Sequence, residues 1–431
     1  MRILAIAAAY PSPSEPERAV YLESLHRGLR EAEAGRRIEV TVVAPRVRAE
    51  DPGREEREGI RVLRFPYPGG GRRLKELQRP SALVRGAYAM SAARALLEAA
   101  RDHGADVILC HWLLPAGPSA ALAARALHAP LVVVAHGSDV NTYAESSLLH
   151  LGASRVVIHR ASAIVAASTA LGEAISERLT GTPRPVDVIP MGVDERFFGA
   201  PARRVERRAA REQLGIRPDA RLLLFVGDLT ESKGVPELLA AHRTLLERGL
   251  DCDLALVGAH GPGSERALTD GVRSSSSSAA PLRVLAPGAV PQRDLVAWYR
   301  AADLFVLPSH AEGSPVSLME ALSCGLPAVA SNVGGIPELI AWGRNGWLVP
   351  PREPRILADT LAGLLGDLTA LEHARRALEI QPPDFSAGSR AKELFAVLQR
   401  ALGESPRAPI RDGAPRGEGA QHPLEEPAHG R

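Results

Sequence analysis

Cysteine is scarce in this sequence: three residues, Cys110, Cys252 and Cys324, among 431. An odd count at wide spacing fits neither a disulfide framework nor a zinc site, and a reducing cytoplasm is the expected compartment. Aromatic residues are also sparse at 4%, which argues against platforms for stacking nucleic-acid bases. Charge of one sign is lacking as well, since a formal net charge of +2 is too small to imply a nucleic-acid partner. No apolar run approaches the ~20 residues that a spanning helix needs. The run over residues 3–9 competes as a signal peptide, but it is short and meets Pro11 and Pro13 at once. A buried first strand is the expectation there.

What is present is an ordinary globular composition, 45% hydrophobic and 24% charged. Short continuous apolar runs at 3–9, 40–44, 107–110, 131–135, 163–167 and 186–189 read as buried parallel strands. Helical patterns such as 20–33 and 87–101 lie between them, which makes an α/β fold. A second series follows. It predicts helices over 203–214, 236–247, 292–301, 315–324 and 337–341, and strands over 222–226, 254–257, 282–285, 304–307 and 328–330. The expected organisation is a first domain over 1–199 and a second over 200–384. A closing helix within 385–403 is expected to pack back on the first domain, and 404–431 to be a disordered tail. Two such domains would face each other across a cleft at their strand carboxyl ends. The serine run at 274–278 reads as a solvated loop. Arg72, Arg73, Lys75 and Arg79 form a basic stretch suited to anionic lipid or to an exposed face.

The most informative segment runs from Pro308 to Pro327, where a strand enters a polar loop that opens a helix. Ser314 is the expected N-cap and Pro315 the first helical residue, which would leave the N–H groups of Val316 and Ser317 free for an anion. Glu312 and Glu320 flank this start, and carboxylates beside a phosphate site suit sugar hydroxyls. Gly227 and then Lys233-Gly234 follow another strand, and Lys233 is suited to neutralise a diphosphate. Asn332-Val-Gly334-Gly335 makes a third glycine turn after a strand. His136 follows the 131–135 strand and so falls at the cleft, with His111 and Asp139 as weaker candidates.

Taken together, these segments resemble GT-B-fold glycosyltransferases of family 4, over roughly residues 1–400. The resemblance rests on Glu312 and Glu320 with seven residues between, Glu320-Ala-Leu-Ser-Cys-Gly325-Leu-Pro327, Val333-Gly-Gly335-Ile-Pro-Glu338 and Gly343-Arg-Asn-Gly346. Val188-Ile-Pro-Met-Gly192-Val-Asp194 is similar to the family's interdomain segment. His111-Trp-Leu-Leu-Pro115 and His136-Gly-Ser-Asp139 resemble transferases of bacterial envelope or capsular polysaccharides.

The resemblance implies a retaining transfer from a nucleotide-sugar, UDP- or GDP-linked, to a hydroxyl of a glycan or lipid-linked acceptor. It implies Glu320 on the ribose, Glu312 by the donor sugar and Lys233 on the diphosphate, with Gly313, Ser314, Val316 and Ser317 lining the donor site. Backbone near Val290 would meet the base. His136 would be catalytic on the first-domain side, with His111 and Asp139 toward the acceptor. No metal and no cofactor is expected, no positioned nucleophile is implied, and the location is cytoplasmic or at the inner membrane face.

Two positions depart from the family pattern. Asp228 stands where an arginine would partner the lysine on the diphosphate. Either it points away, or another cation such as Arg344 or a first-domain arginine substitutes. Ala19 stands where related chains often have glycine. Other motifs fail: Gly258-Ala-His-Gly261-Pro-Gly263 lacks dinucleotide spacing, and Asp251-Cys-Asp253 sits at a strand's amino end as a surface turn. A non-catalytic nucleotide-sugar-binding protein and a GT-B-fold epimerase are the alternative classes.

Overall fold

The computed structural model describes residues 1–74, 77, 80–137, 139–140, 147–180, 184–259 and 284–403. Lys75, Arg79, Gly261, Gly263, the 274–278 serines and the 404–431 tail lie outside these residues. The chain runs β1 (Arg2–Ile6), α1 (Val20–Arg30), β2 (Glu39–Arg46), β3 (Arg54–Arg57), β4 (Ile60–Pro66), α2 (Ala82–His103), β5 (Val107–His111) and α3 (Gly117–Leu127). It continues through β6 (Leu131–Ala135), α4 (Leu148–Arg160), β7 (Ala163–Ala166), α5 (Thr169–Ile175) and β8 (Asp187–Val188). These strands form one eight-stranded sheet in the order β3-β4-β2-β1-β5-β6-β7-β8. Every pairing in it is parallel except β3 with β4. β5 and β6 are buried along their whole length, as expected of strands covered on both faces.

The second series is α6 (Ala200–Arg203), α7 (Arg207–Leu214), β9 (Arg221–Val226), α8 (Val235–Glu247), β10 (Cys252–Val257), β11 (Val284–Gly288), α9 (Gln292–Ala301) and β12 (Leu304–Leu307). Then come α10 (Val316–Ser323), β13 (Ala328–Ser331), β14 (Gly346–Val349), α11 (Pro354–Gly366), α12 (Leu368–Ile380) and α13 (Ala387–Ala401). Its six strands pair in parallel in the order β11-β10-β9-β12-β13-β14.

Three expected elements differ. The helix expected over 203–214 is two helices, because the Val205 carbonyl accepts from Arg300 Nε at 2.9 Å instead of continuing a helical ladder. The helix expected over 337–341 is one 3-10 turn, Ile336–Glu338, and the Asn345 side chain takes the Ala341 N–H at 2.8 Å. Within the described residues the strand expected at 282–285 spans Val284–Gly288.

The crossing between the domains is stitched on both sides. Val193 N–H donates to the Phe385 carbonyl and Ala387 N–H to the Val193 carbonyl, both at 2.8 Å. The buried Asp194 carboxylate accepts from Ser24 Oγ and Arg27 Nη2, both at 2.9 Å, tying the segment to α1. α13 lies against α1, where a Cβ on Gly28 would come within 2.8 Å of the Ala391 methyl. No described helix is long and apolar enough to cross a membrane.

Candidate active site

The loop leaving β12 is short, and α10 begins at Val316 with Pro315 as its N-cap residue. Ser314 does not cap it, contrary to expectation. Its Oγ instead accepts the Met191 N–H at 3.2 Å, which fastens the interdomain segment to this loop. The first-turn N–H groups, those of Val316 and Ser317 included, have no partner within the helix. Leu318 to Ser323 are buried, so the positive end of α10 acts in a poorly screened setting.

Glu312 lies in the same loop. Its Oε1 accepts from Lys233 Nζ at 2.6 Å and from Ser309 Oγ at 2.7 Å. Lys233 ends a 3-10 turn, Glu231–Lys233, that follows β9. The loops after β9 and β12 are laced together again by His310, whose N–H donates to the Ser232 carbonyl and whose Nε2 meets Glu237 at 2.9 Å. The structure therefore brings Lys233, Glu312 and the helix start into one place, as the sequence reading grouped them. Gly227 follows β9 directly, and Val290 is half-buried just after β11.

Glu320 sits in the second turn of α10 and is only 4% exposed. Its Oε2 accepts from the Tyr299 hydroxyl at 2.7 Å and its Oε1 from Gln292 at 3.3 Å. Burial pushes this carboxyl up to about 7, against the pull of those two hydrogen bonds. Both partners come from α9 and were not foreseen. Nothing at their own positions signals them, because only the packing of α9 on α10 brings them near.

In the first domain, β5 and β6 end side by side in His111 and His136. His111 Nδ1 lies 3.1 Å from His136 Nε2, and His111 Nε2 lies 3.0 Å from Nε2 of His26 on α1. The line of rings ends at Tyr10, whose hydroxyl is 3.4 Å from His26 Nδ1. Trp112 packs on the His136 ring, with centroids 4.4 Å apart and planes 31° apart. Burial holds His26 and His136 down to about 3 and depresses His111 as well, so the rings are neutral near pH 7. Asp139 accepts from the N–H groups of Leu113 (2.9 Å), His136 (3.1 Å) and Gly137 (2.9 Å). Burial raises its proton affinity while these bonds oppose the rise.

His111 and Asp139, the acceptor-side candidates, are both 0% exposed. They hold the His136 loop in place. Tyr10, His26 and Trp112 were missed.

The two domains touch through backbone. A Cβ on Gly313 would overlap the His136 carbonyl, and within the second domain one on Gly334 would overlap the Glu312 carbonyl. These glycines let loop nest on loop. Glu338 reaches across to the start of α5, accepting the Thr169 and Ala170 N–H groups at 3.1 and 3.2 Å. Asp228 is met by the first domain's Arg18 at 3.1 Å, so a first-domain cation answers its charge. Arg344, the other cation considered, bonds to Gln381 instead. In Asp251-Cys-Asp253, Asp251 is exposed, but Asp253 is buried inside β10 and is no surface turn. Among the described residues no cluster of three His, Cys, Asp or Glu side chains is placed to hold a metal.

A family model described as glycosyl transferases group 1 matches residues 220–367, and one described as a glycosyl transferase 4-like domain matches 19–192. A Bacillus subtilis protein named for glycosyl transfer in teichuronic acid biosynthesis is 29% identical over 93% of this chain and 98% of its own. A D-inositol 3-phosphate glycosyltransferase of Xylanimonas cellulosilytica is 33% identical over 81% of this chain and 83% of its own. Among solved structures, Anabaena HepE in complex with UDP-glucose superposes with a TM-score of 0.68 at 21% identity, over 93% of this chain and 100% of that one. The fold is GT-B, as expected.

Proposed function

The chain belongs to the group 1, 4-like glycosyltransferases, and from that premise we propose that it is a retaining hexosyltransferase that uses a UDP- or GDP-sugar. The acceptor we propose is a hydroxyl of a glycan or lipid-linked glycan in polysaccharide synthesis. The observation that carries this reading is the meeting of Lys233, Glu312 and the open start of α10 at a loop that touches His136.

A diphosphate entering there competes with Glu312 for Lys233 and finds the N–H groups of Val316 and Ser317. Glu312, released, turns its oxygens to the sugar hydroxyls, and Glu320 accepts from the ribose. The bond from the anomeric carbon to the phosphate oxygen breaks while the acceptor oxygen bonds on the same face. The acceptor proton passes to the departing phosphate. Lys233 and the helix start stabilise the charge that grows on that phosphate, without a metal. The Bacillus relative's name supports a cell-envelope polysaccharide, and the Anabaena complex supports a uridine diphosphate donor.

The proposal places the chain in the cytoplasm, in contact with the inner membrane face, through a surface other than the 72–79 stretch. Arg73 of that stretch is buried and paired with Glu15 at 2.9 Å. The outward faces of α2 and α4 instead expose Leu83, Met90, Leu148, Leu149 and Val156, with Arg94 and Arg155 beside them. Co-sedimentation with anionic vesicles checks this, and equal recovery with neutral vesicles would count against it.

The transfer itself is tested by incubating the purified chain with UDP- and GDP-sugars and a polysaccharide-type acceptor in EDTA. The product's anomeric configuration is then read by NMR. The expected product keeps the donor's configuration. Inversion, or transfer only after a divalent cation is added, would refute the proposal.

A further inference from the structure

His26, His111 and His136 are not needed to hold the sheet together, since β5 and β6 are already paired along their lengths. They nevertheless form an unbroken line of ring nitrogens from α1 to the domain junction. A neutral imidazole carries one proton, so each ring must donate through one nitrogen and accept through the other. The line has two consistent polarities, and the choice at one end dictates the other end.

We propose that the Tyr10–His26–His111 line fixes the tautomer of His136, placing its proton on Nδ1 as a hydrogen-bond donor to the transferred sugar. His26 and His111 are then positioning residues, and the inference rests on the reading of His136 as facing that sugar. The polarity follows from Tyr10. Its hydroxyl is buried, and His26 Nδ1 is its hydrogen-bond partner among the described residues. If the hydroxyl donates to that nitrogen, His26 carries its proton on Nε2 and donates to His111 Nε2. His111 then donates from Nδ1 to His136 Nε2, and His136 keeps its proton on Nδ1. Either polarity strands one proton: the reverse leaves it on the Tyr10 hydroxyl inside the first domain, whereas this one leaves it on Nδ1 of the half-buried His136 at the domain junction, where water or a ligand can accept it.

At the far end, His136 Nδ1 is buried and has no partner among the described residues. It is the group left for a ligand. Asp139 fixes the loop's backbone but bonds neither ring nitrogen, so it does not choose the tautomer. The buried rings stay neutral, which keeps the one-proton rule in force.

The test uses the full chain labelled with 15N-histidine, without ligand, and reads long-range proton–nitrogen correlations of the imidazoles. The expected result is protonation at His136 Nδ1, His111 Nδ1 and His26 Nε2. A His136 proton on Nε2, or a mixture of the two forms, overturns the proposal. His26→Phe should then give mixed tautomers at His136 and lower kcat by about tenfold or more, with donor KM moved much less. His26→Gln, whose amide can still donate, should restore the single form. An unchanged His136 spectrum in a folded His26→Phe chain also overturns the proposal, and if that variant does not fold the wild-type spectrum decides. Because the spectrum needs no turnover, absence of transfer alongside the expected tautomers would strike the functional reading and leave the relay standing.

Discussion

In the second domain, the groups that meet at the strand ends come from neighbouring loops. Ser309, Glu312 and the start of α10 share one segment, and Lys233 belongs to the turn after the adjoining strand. They are charged or open to a ligand. In the first domain, Tyr10, His26, His111 and His136 come from four separate segments, and they are neutral, the first three buried and His136 half-buried. One half is an anion site assembled locally. The other is a rigid polar line assembled by packing, and it meets the first half at the His136–Gly313 backbone contact.

That contact is the place to break the comparison, and the largest effect is expected there. Gly313→Ala puts a methyl group into the His136 carbonyl and pushes the two halves apart. A displacement of this kind is expected to lower kcat by about 100-fold, with donor affinity changed far less, because Lys233 and Glu320 stay in place. Equal loss of donor binding in the variant would show that the halves do not act separately.

The next effect belongs to the second domain alone. Glu320→Ala is expected to weaken donor binding by more than about tenfold, from hydrogen bonds worth ~1.5–3 kcal/mol each to a charged group. The pH dependence has a definite sign. With its carboxyl raised to about 7, Glu320 is partly protonated in the empty site. Ribose hydroxyls donate to the ionised form, so donor binding releases a proton and tightens as pH rises from 6 to 8. Glu320→Gln should flatten that dependence in calorimetric titrations at the two pH values.

The smallest effect lies in the first domain's opening loop. Ala19 precedes α1 in a left-handed conformation, φ 54°. Ala19→Gly relieves a strain of ~1–2 kcal/mol, partly offset by the greater freedom of unfolded glycine. A gain of about 1 kcal/mol or less is expected from denaturant unfolding at unchanged m-value. A loss would mean that the alanine methyl group packs favourably there.

The same contrast explains what was legible in the sequence. Strands buried on both faces announce themselves as apolar runs, so most of both sheets could be read, while β3, β4 and β14 were not among the expected strands. Glu312, Ser317 and Glu320 lie within nine residues, and their shared helix start could be read too. What escaped depends on distant packing. Tyr299 and Gln292 face Glu320 only because α9 lies on α10, and His26 is an unremarked residue on α1 until the sheet sets β5 beside it. Arg18 could not be assigned to Asp228 because the pair spans the two domains. Ser314 was misread as a cap because the interdomain segment's claim on it, through Met191, is invisible locally.

The central claim is that the second domain's strand-end loops bind a nucleotide-sugar without a metal. It is tested most directly by calorimetric titration of the purified chain with UDP- and GDP-sugars in EDTA, beside the Glu320→Ala variant. The account predicts selective binding of one nucleotide class by the wild type, weakened by more than about tenfold in the variant. Binding of neither class, or equal binding by both proteins, would contradict it.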